Sequence, residues 1–513
     1  MTATAPRPGP PASADEPLGR EVWIVAAVVT VGVIMSILDT TIVNVALETL
    51  SRELDASLNT IQWVSTGYML ALAVVIPLTG WMSEKFGAKK VWMVSVTLFG
   101  LGSALCGLAW SAESLIFFRV LQGFGGGMIM PVGMSVLAQT AGPHRLGRVM
   151  AVIGVPTLLG PIFGPVIGGL IVDSVSWRWI FFVNIPIAIL ALGLAYRLLH
   201  ADAGRADTGR LDWIGLLLLS PGLAGVVFGL SETETHGGVT APIAWVPIVA
   251  GLVLIALFVR HALHAERPLI DVSLFRATGF SAAAASTFLL AGALFGGMIV
   301  LPLYYQIARG ETALAAGLLM APQGVGAAFA MPVAGRLTDK IGGGRVALTG
   351  LVIVTIATVP FARIGADTSY GLLAPMLVLR GIGIGCAMMP AMAAAYATLT
   401  YADVPRATSA LNVLQRVGGS VGTALLAVVL QHQITTQLAG VGGNAPAGGG
   451  VLQRVPEDVR AEIADPLATA FGNTFWWAVG MSAVALIPAV ILVRSQTRER
   501  RGQALTEADA PLA

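Results

Sequence analysis

A carboxylate stands in the middle of the first long apolar run, "VGVIMSILDTTIVNVAL", residues 31–47. Burying an ionised side chain such as that of Asp39 in hydrocarbon costs roughly 2.5–3.5 kcal/mol or more, so we expect the residue to have a function. At 1.5 Å per residue, Asp39 lies roughly 12 Å below the outer end of its predicted helix. Arg119 lies ~8 Å deep in a later apolar run that enters from the same side. We therefore expect the two side chains to face each other or to share a water-filled cavity.

This pair of residues can carry a proton. A dry cavity favours the protonated carboxylic acid, whereas a neighbouring arginine favours the carboxylate. If the site opened to each side of a membrane in turn, both effects would change and one proton would be loaded and released in each cycle. Every other acidic residue falls in a loop or near the end of a predicted helix, so Asp39 is the predicted proton carrier and Arg119 its partner. Two structural roles stay open: a permanent ion pair, and a capping role at a local helix break beside Thr40 and Thr41.

The composition is typical of a polytopic membrane protein. Of the 513 residues, 56% are hydrophobic and 11% are charged, against about 25% charged in a typical soluble domain. A net charge of only +2 indicates no nucleic-acid partner. Cys106 and Cys386 lie far apart in apolar runs, which predicts neither a disulfide nor a metal site. The chain has no nucleotide-binding G-x-x-x-x-G-K-[ST] loop and no His-x-x-x-His pair, so we expect no enzymatic activity and no cofactor, with a proton as coupling ion.

The apolar runs predict an all-α protein with fourteen transmembrane helices, since ~20 apolar residues cross ~30 Å of hydrocarbon. The predicted spans are 22–47, 60–82, 91–110, 114–140, 147–172, 177–198, 211–230, 241–260, 278–303, 313–335, 345–364, 370–393, 408–432 and 474–494. Most of the 30 Lys and Arg residues fall on one side of this arrangement, which predicts that both termini are cytoplasmic. The longest outside segment is 433–473, and its second part is predicted to be a short surface helix or a solvated connector.

Two pairs of similar segments indicate an internal repeat. "GWMSEKFGAKK" at 80–90 matches "GRLTDKIGGGR" at 335–345, and "FFRVLQGFGGGMIMP" at 117–131 matches "VLRGIGIGCAMMP" at 378–390. The similar offsets predict two six-helix halves with two extra central helices between them, an arrangement in which substrate sites lie at the interface of the repeats. The predicted divisions are a disordered cytoplasmic tail (1–20), an N-terminal bundle (21–200), two inserted helices (205–265), a C-terminal bundle (272–495) with the outside loop 433–473, and a cytoplasmic tail (496–513).

The first repeated loop predicts a gating latch. Its glycines permit tight turns, and its acids can cap a helix N-terminus or pair with Lys and Arg on the same rim. Making and breaking those contacts would favour one of two conformations in turn. The alternative is that the loop charges only fix the topology. The predicted latch residues are Gly80, Glu84, Lys85, Gly87, Lys89, Asp339, Lys340 and Arg345.

These motifs resemble a known family. The loop at 80–90 resembles the signature loop of the major facilitator superfamily. "LDTTIVNVAL" at 38–47, the Arg119-x-x-Gln122-Gly123 helix, "GPIFGPVIGG" at 160–169 and "WRWIFFVNIP" at 177–186 resemble the fourteen-span drug:proton antiporter family of the EmrB/QacA type, over about residues 20–495. The chain departs from the family pattern at Glu48, where proline is usual, and at Glu84, where aspartate is usual. The resemblance implies the major facilitator fold and proton-coupled export.

The segment "GPIFGPVIGG" is similar to a motif associated with antiporters rather than symporters. Its glycines recur every four residues on one helix face, where a neighbouring helix can approach at backbone distance, and its prolines can bend the helix. We expect a pivot here, with ordinary small-residue packing as the alternative. The predicted motif residues are Gly160, Gly164, Pro165, Gly168 and Gly169.

A substrate cavity is predicted from residue types that adapt to apolar ligands or hold cations. Its predicted members are Gln62, Tyr68, Met128, Tyr304, Tyr305, Gln306, Arg380, Asn412 and Gln415. Arg380 matches Arg119 in the second half, but no acid there matches Asp39, so we expect asymmetric coupling. Relatives that recognise divalent cations often carry an acid in the tenth span, and its absence here favours lipophilic, neutral or monocationic substrates.

The leading hypothesis is a proton-coupled antiporter that exports small lipophilic or cationic compounds (multidrug efflux) across a bacterial inner (plasma) membrane. The alternatives are a proton-driven lipid or lipopeptide exporter, a symporting nutrient importer, an intramembrane enzyme and a non-transporting membrane sensor. The expected partners are a small lipophilic substrate and membrane lipids, and the sequence does not identify an accessory export partner.

Overall fold

The computed structural model describes residues 19–141, 146–200, 209–235, 241–397, 399, 403–438 and 457–508. These residues form helices joined by short loops and contain no β-strand. The α-helices are α1 (Arg20–Glu53), α2 (Leu58–Val75), α3 (Leu78–Phe86), α4 (Ala88–Gly107), α5 (Ala112–Ala141), α6 (Leu146–Ser174), α7 (Trp179–Phe182), α8 (Asn184–Leu198), α9 (Trp213–Thr235), α10 (Pro242–Ala262), α11 (Thr278–Leu303), α12 (Ala313–Ile341), α13 (Gly343–Thr358), α14 (Tyr370–Tyr396), α15 (Val404–Leu438) and α16 (Glu457–Ala508). Val272–Arg276 and Val359–Arg363 are 3-10 turns, and Tyr304–Ala308 is a π-helical turn.

The helices form two bundles with a helical hairpin between them. In the first half α1 packs on α5 and α6, and in the second half α11 packs on α15 and α16. The described residues include twelve helices long and apolar enough to cross a membrane, or thirteen if α2 and α3 form one span with a 56° bend. The predicted fifth span coincides with the 29-residue helix α6, several of whose side chains lie outside the described part. The prediction of an all-α polytopic membrane protein is confirmed.

Local sequence signals explain where several helices begin and end. Gly87 and Gly342 have φ of 87° and 97°, which side-chain-bearing residues rarely adopt, so each ends one helix and lets the next begin at once. At the start of α2, the Ser57 hydroxyl accepts a hydrogen bond from the Thr60 amide, and Thr312 does the same for Ala315 at the start of α12. Capping hydroxyls and glycines with positive φ thus determine where several of these apolar helices begin or end.

Among the residues that the structure describes, the two halves share a core at one end of the molecule only. We call this the latch end, where α3 and α12 end and α6 and α15 begin. There, Val149 of the first half and Met331, Met389 and Tyr396 of the second belong to one buried cluster. At the opposite end each half has its own cluster: one includes Leu50, Ile61, Trp177 and Phe181, and the other includes Tyr304, Phe361, Phe471 and Phe475. The halves are therefore joined by apolar packing at the latch end and are packed separately at the other.

The inserted hairpin α9–α10 covers the seam between the halves. Leu219 of α9 lies in one cluster with Ile76 of the first half and Val413 of the second. The Ser220 hydroxyl donates to the Val74 carbonyl at 2.7 Å, which ties α9 to α2. The other face of the hairpin leaves apolar side chains such as Leu252 of α10 exposed, as expected of a helix that faces lipid.

The structure differs from the sequence prediction in two places. The predicted second span, 60–82, is two helices, because the chain bends at Ile76–Pro77 between α2 and α3. The surface helix predicted in the second part of 433–473 is instead the beginning of α16, whose buried Leu467 and Phe471 continue the packing of the last span outward. The predicted tail 496–513 is helical to Ala508. The first 18 residues and 439–456 lie outside the described part.

Candidate functional site

Asp39 lies inside a continuous helix and is fully buried, with 0% of its surface exposed. The capping role at a helix break is therefore wrong, because α1 runs from Arg20 to Glu53 without interruption. The Thr40 and Thr41 hydroxyls donate to the carbonyl of Ile37 and so remain within the helix. A fully buried carboxylate needs partners that compensate for lost water.

Three side chains supply those partners. Arg119 Nη1 donates to Asp39 Oδ2 at 2.7 Å, Gln122 Nε2 donates to Oδ1 at 2.9 Å, and Asn184 Nδ2 donates to Oδ1 at 3.0 Å. All three contacts use N–H donors and both oxygens accept. Proton binding to this carboxyl group would remove the negative charge that pairs with the Arg119 guanidinium, and would thereby weaken the ion pair and couple protonation to the positions of these side chains.

Arg119 has further partners that hold it when it is not paired with the acid. Its Nε donates to the Val64 carbonyl at 3.2 Å and its Nη1 donates to Gln122 Oε1 at 2.8 Å. Its guanidinium lies 4.0 Å from the centre of the Tyr68 ring and 5.7 Å from that of Phe181, within cation–π range. These contacts fix the position of the guanidinium independently of the charge on Asp39.

Asn184 connects the acid to the sixth predicted span. It is the first residue of α8, directly after the short helix α7, and its Nδ2 also donates to Ser103 Oγ at 3.0 Å. Ser103 in turn donates to the Phe181 carbonyl at 2.8 Å. A buried chain of hydrogen bonds therefore runs from Asp39 to the junction of α7 and α8. The sequence analysis did not assign Asn184 a role, because a single amide in an apolar helix has neither a charge nor a periodic signal.

The glycine face of α6 packs against α1 on both sides of Asp39. A Cβ atom at Gly164 would meet the Thr41 hydroxyl, one at Gly160 would meet Ile37, and one at Gly168 would meet Ile42. Small residues are therefore required for this approach. A Cβ atom at Gly169 would meet open space, and the Pro165 side chain lies outside the described part.

Two ion pairs at the latch end join the halves. Arg148 Nε of α6 donates to Asp339 Oδ2 of α12 at 2.7 Å, and the Gly147 amide donates to Asp339 Oδ1 at 2.9 Å. Arg406 of α15 pairs with Glu84 of α3, with Nε 2.9 Å from Oε1. Each acid belongs to the second span of one half, and each arginine to the fifth span of the other half.

The same symmetry appears in the backbone packing. Gly80 faces the backbone of Pro405 and Arg406, where a Cβ atom would be tight, and Gly335 faces that of Gly147 and Arg148, where a Cβ atom would clash. The Thr79 and Ser409 hydroxyls add a hydrogen bond of 2.5 Å across the seam. The acids and glycines of these contacts were singled out from the sequence, whereas both arginine partners were missed.

The other predicted latch residues lie elsewhere on this rim. Lys89 donates to the carbonyls of Leu199 and Tyr196, within the first half. Lys85 is half-buried near the end of α3, and Arg345 is exposed near the start of α13. Lys340 has a partner in the structure. Gly87 shapes the turn between α3 and α4, as described above.

The structure distributes the predicted cavity residues over several places. Tyr68 and Met128 are buried in the first half, and Tyr304 and Tyr305 lie in the separate core of the second half, where the rings of Tyr304 and Phe471 pack edge to face. Gln62 is half-buried. The remaining predicted members are half-buried or buried and make hydrogen bonds within their own half: Gln306 (to the Pro302 carbonyl), Asn412 (to the Thr408 carbonyl), Gln415 (to Met388 Sδ) and Arg380 (to Gln323). No group of metal-ligating side chains occurs among the described residues.

Comparison with known proteins identifies the family. The family model of the Major Facilitator Superfamily matches residues 29–423. The chain is 38% identical over 497 residues to the multidrug resistance protein B homolog of Mycobacterium tuberculosis, covering 94% of this chain and 92% of that protein. It is 32% identical to the multidrug export protein EmrB of Haemophilus influenzae (79% and 80% covered) and 30% identical to the lincomycin resistance protein LmrB of Bacillus subtilis (88% and 92% covered).

Solved structures support the fold. The human organic anion transporter MFSD10 (TETRAN) superposes with a TM-score of 0.63 at 16% identity, covering 92% of this chain and 100% of that one. The proton:xylose symporter XylE superposes with a TM-score of 0.57 at 14% identity, covering 91% and 94%. The chain is thus a multi-pass membrane transporter, and it belongs to the Major Facilitator Superfamily, to the group of the EmrB/QacA type.

Proposed function

We propose that the protein is a proton-coupled antiporter that exports small lipophilic compounds, cationic ones among them, from the bacterial cytoplasm by alternating access. The observation that carries this proposal is the dry Asp39–Arg119 pair, an ionisable site fully enclosed by protein at membrane depth. Intramembrane carboxylates of this kind mark proton relays. The printed names of the relatives, which describe multidrug export and lincomycin resistance, support the choice of drug-like substrates.

The arrangement of the cores supports alternating access. The halves share a core and two ion pairs at the latch end, and at the other end each half has a separate core. The excess of basic residues supports a cytoplasmic position for the latch end and for both termini. The described conformation then corresponds to a transporter closed towards the cytoplasm.

Helix α6 provides the mechanical link between proton site and latch. Its glycine face touches α1 around Asp39, and its first residues, Gly147 and Arg148, hold Asp339 of the other half. Gly164 and Arg148 lie 16 residues apart on the same helix, or about 24 Å. When Asp39 takes up a proton, the ion pair with Arg119 is lost and α1 is free to shift against this glycine face. That shift reaches the latch through α6 and opens the cytoplasmic side, where substrate binds as the proton leaves.

The test uses proteoliposomes with an imposed proton gradient and a lipophilic fluorescent cation as substrate. Asp39→Asn keeps the shape of the side chain but cannot carry a proton, so gradient-driven export is expected to vanish while ligand binding persists. Asp55→Asn is the matched control, because Asp55 is exposed between α1 and α2 and has a φ of 48°, which asparagine tolerates. Export that survives in Asp39→Asn would contradict the coupling role. If neither protein moved the dye, but labelled phospholipid were exported, the substrate would be lipid.

A further inference from the structure

Arginines outnumber carboxylates in the middle of the predicted spans. Arg119, Arg380 and Arg416 lie well inside α5, α14 and α15, whereas Asp39 is the one carboxylate at comparable depth among the described residues. Asp39 is already paired with Arg119. Neither Arg380 nor Arg416 forms an ion pair with any residue in the described ranges. The interior of the second half therefore carries positive charge that the described protein does not neutralise.

Arg380 is the more deeply buried of the two, with 2% of its surface exposed. Its Nη1 donates to Oε1 of Gln323 at 2.8 Å, and the Gln323 amide carries no charge. Its Nε is buried and has no hydrogen-bond partner. A guanidinium has five N–H donors, and leaving them unused in a dry site is costly. Buried polar groups without partners in native proteins require an explanation.

The first half shows what Arg380 lacks. Arg119 faces Asp39 of α1, the first helix of its half, whereas Arg380 faces Gly297 of α11, the first helix of the other half. Gly297 has no side chain, and a Cβ atom there would meet Nη2 of Arg380. The repeat has thus kept the arginine and omitted the carboxylate.

We propose that Arg380 binds the anionic group of a transported compound, with a lipophilic carboxylate as the ligand class. Arginine suits this role because its planar fork matches a carboxylate in two parallel hydrogen bonds. Arg416, half-buried on α15 and within electrostatic range of Tyr68 in the other half, adds positive potential at the interface between the halves. The ligand's carboxylate faces Arg380 in the same way that the Asp39 carboxylate faces Arg119. The ligand enters in a state of the transport cycle in which Arg380 is exposed. The bound compound is taken to be the exported one, so the inference rests on the proposed function.

The test measures binding to the purified full-length protein in detergent micelles, without a proton gradient. The probes are 1-pyrenebutyrate and the neutral 1-pyrenebutyramide, which share the apolar body and differ in charge. The wild-type chain is expected to bind the carboxylate at least tenfold more tightly than the amide. Arg380→Gln is expected to remove this preference without weakening amide binding. Arg363→Gln, which makes the same change at an exposed arginine of the same half, is expected to preserve it.

A second pair of variants tests the site without removing the arginine. Gly297→Asp supplies the missing carboxylate from within the protein, and the flexible guanidinium can move to accommodate it. This variant is expected to lose the preference for the carboxylate probe, whereas the isosteric but neutral Gly297→Asn is expected to keep most of it. Thermal unfolding of each variant verifies that it is folded.

Any of three results would overturn the proposal. The wild-type chain could bind both probes with equal affinity, Arg380→Gln could lower the affinity for both probes equally, or Gly297→Asp could leave the preference for the carboxylate probe unchanged. Because binding is measured without a gradient, these results are independent of proton coupling. A carboxylate preference that depends on Arg380, in a protein that shows no gradient-driven export, would contradict the proposed function and leave the anion site in place.

Discussion

Breaking the ion pair between Arg148 and Asp339 is expected to open the latch end. The change is Asp339→Asn, which removes the charge but retains an oxygen that can accept the hydrogen bond from the Gly147 amide. The two side chains are 16% and 3% exposed, and their contact is 2.7 Å long. A hydrogen bond to a charged group with this little exposure contributes about 1.5–3 kcal/mol. Since 1.4 kcal/mol corresponds to a factor of ten, the ratio of open to closed molecules is expected to rise roughly 10- to 100-fold.

Distances between spin labels measure that ratio directly. Labels at Lys90 and Arg345 report across the latch end, because both residues are exposed there and belong to different halves. The background carries Cys106→Ser, which keeps the weak hydrogen bond to Gln122, and Cys386→Ala. Pulsed electron resonance then gives the populations of short and long distances for the parent, Asp339→Asn, Arg148→Gln and the double variant.

The double variant decides whether the two residues act as a pair. If they do, each single variant shifts the population by a similar amount and the double variant adds little more. Fully additive effects, or a distance distribution that stays the same in Asp339→Asn, would refute the latch. The corresponding pair, Glu84→Gln and Arg406→Gln, is the internal control, and the symmetry of the contacts predicts a shift of comparable size.

Two further predictions concern packing and backbone geometry. Gly164→Ala places a Cβ atom against both the hydroxyl and the Cβ of Thr41 and is expected to lower the stability of the folded protein by about 1–3 kcal/mol. Thr41→Gly in the same chain removes both atoms and is expected to restore part of that stability; a thermal unfolding series in which the second change gives no recovery would contradict the contact. Gly87→Ala is expected to lower the stability of the folded protein by about 1–3 kcal/mol, because residues other than glycine rarely adopt the backbone conformation of Gly87. Gly193→Ala is expected to leave the stability unchanged, because a Cβ atom there meets open space. Equal melting temperatures of the two variants would contradict a requirement for glycine in the turn between α3 and α4.

The juxtaposition of Asp39 and Arg119 was predictable, because it follows from counting residues inward along two apolar runs. Charged residues stand out against such runs, and the rise of a helix converts their position into depth. The amides of Gln122 and Asn184 could not be assigned in this way. Their role depends on how α5 is rotated about its own axis and on the path of the chain between α7 and α8. The hydropathy of the sequence indicates neither.

The partners of the latch acids were unpredictable for a different reason. Arg148 and Arg406 lie in the half opposite to the acid they bind, so their pairing depends on how two independently folded bundles meet. The cavity residues were chosen by type alone. In a membrane protein the lipid-facing surface is as apolar as the core, so residue type does not reveal which face a side chain occupies. Tyr304 and Tyr305 illustrate this, since they pack within the second half.

The two halves contain the ion pair of the latch end in two copies, whereas a buried carboxylate–arginine pair occurs in the described part of the first half alone. Each half contributes one acid at the end of its second span and one arginine at the start of its fifth span, and both pairs join the halves at the same end of the molecule. A symmetric latch is mechanically useful, because it must release both sides of the seam together. A second carboxylate beside Arg380 would neutralise that arginine and leave no charge for a ligand. Under the proposed function and the anion-site proposal together, the absence of that acid separates the roles of the halves: the first half binds the proton, and the second half binds the anionic group of the transported compound.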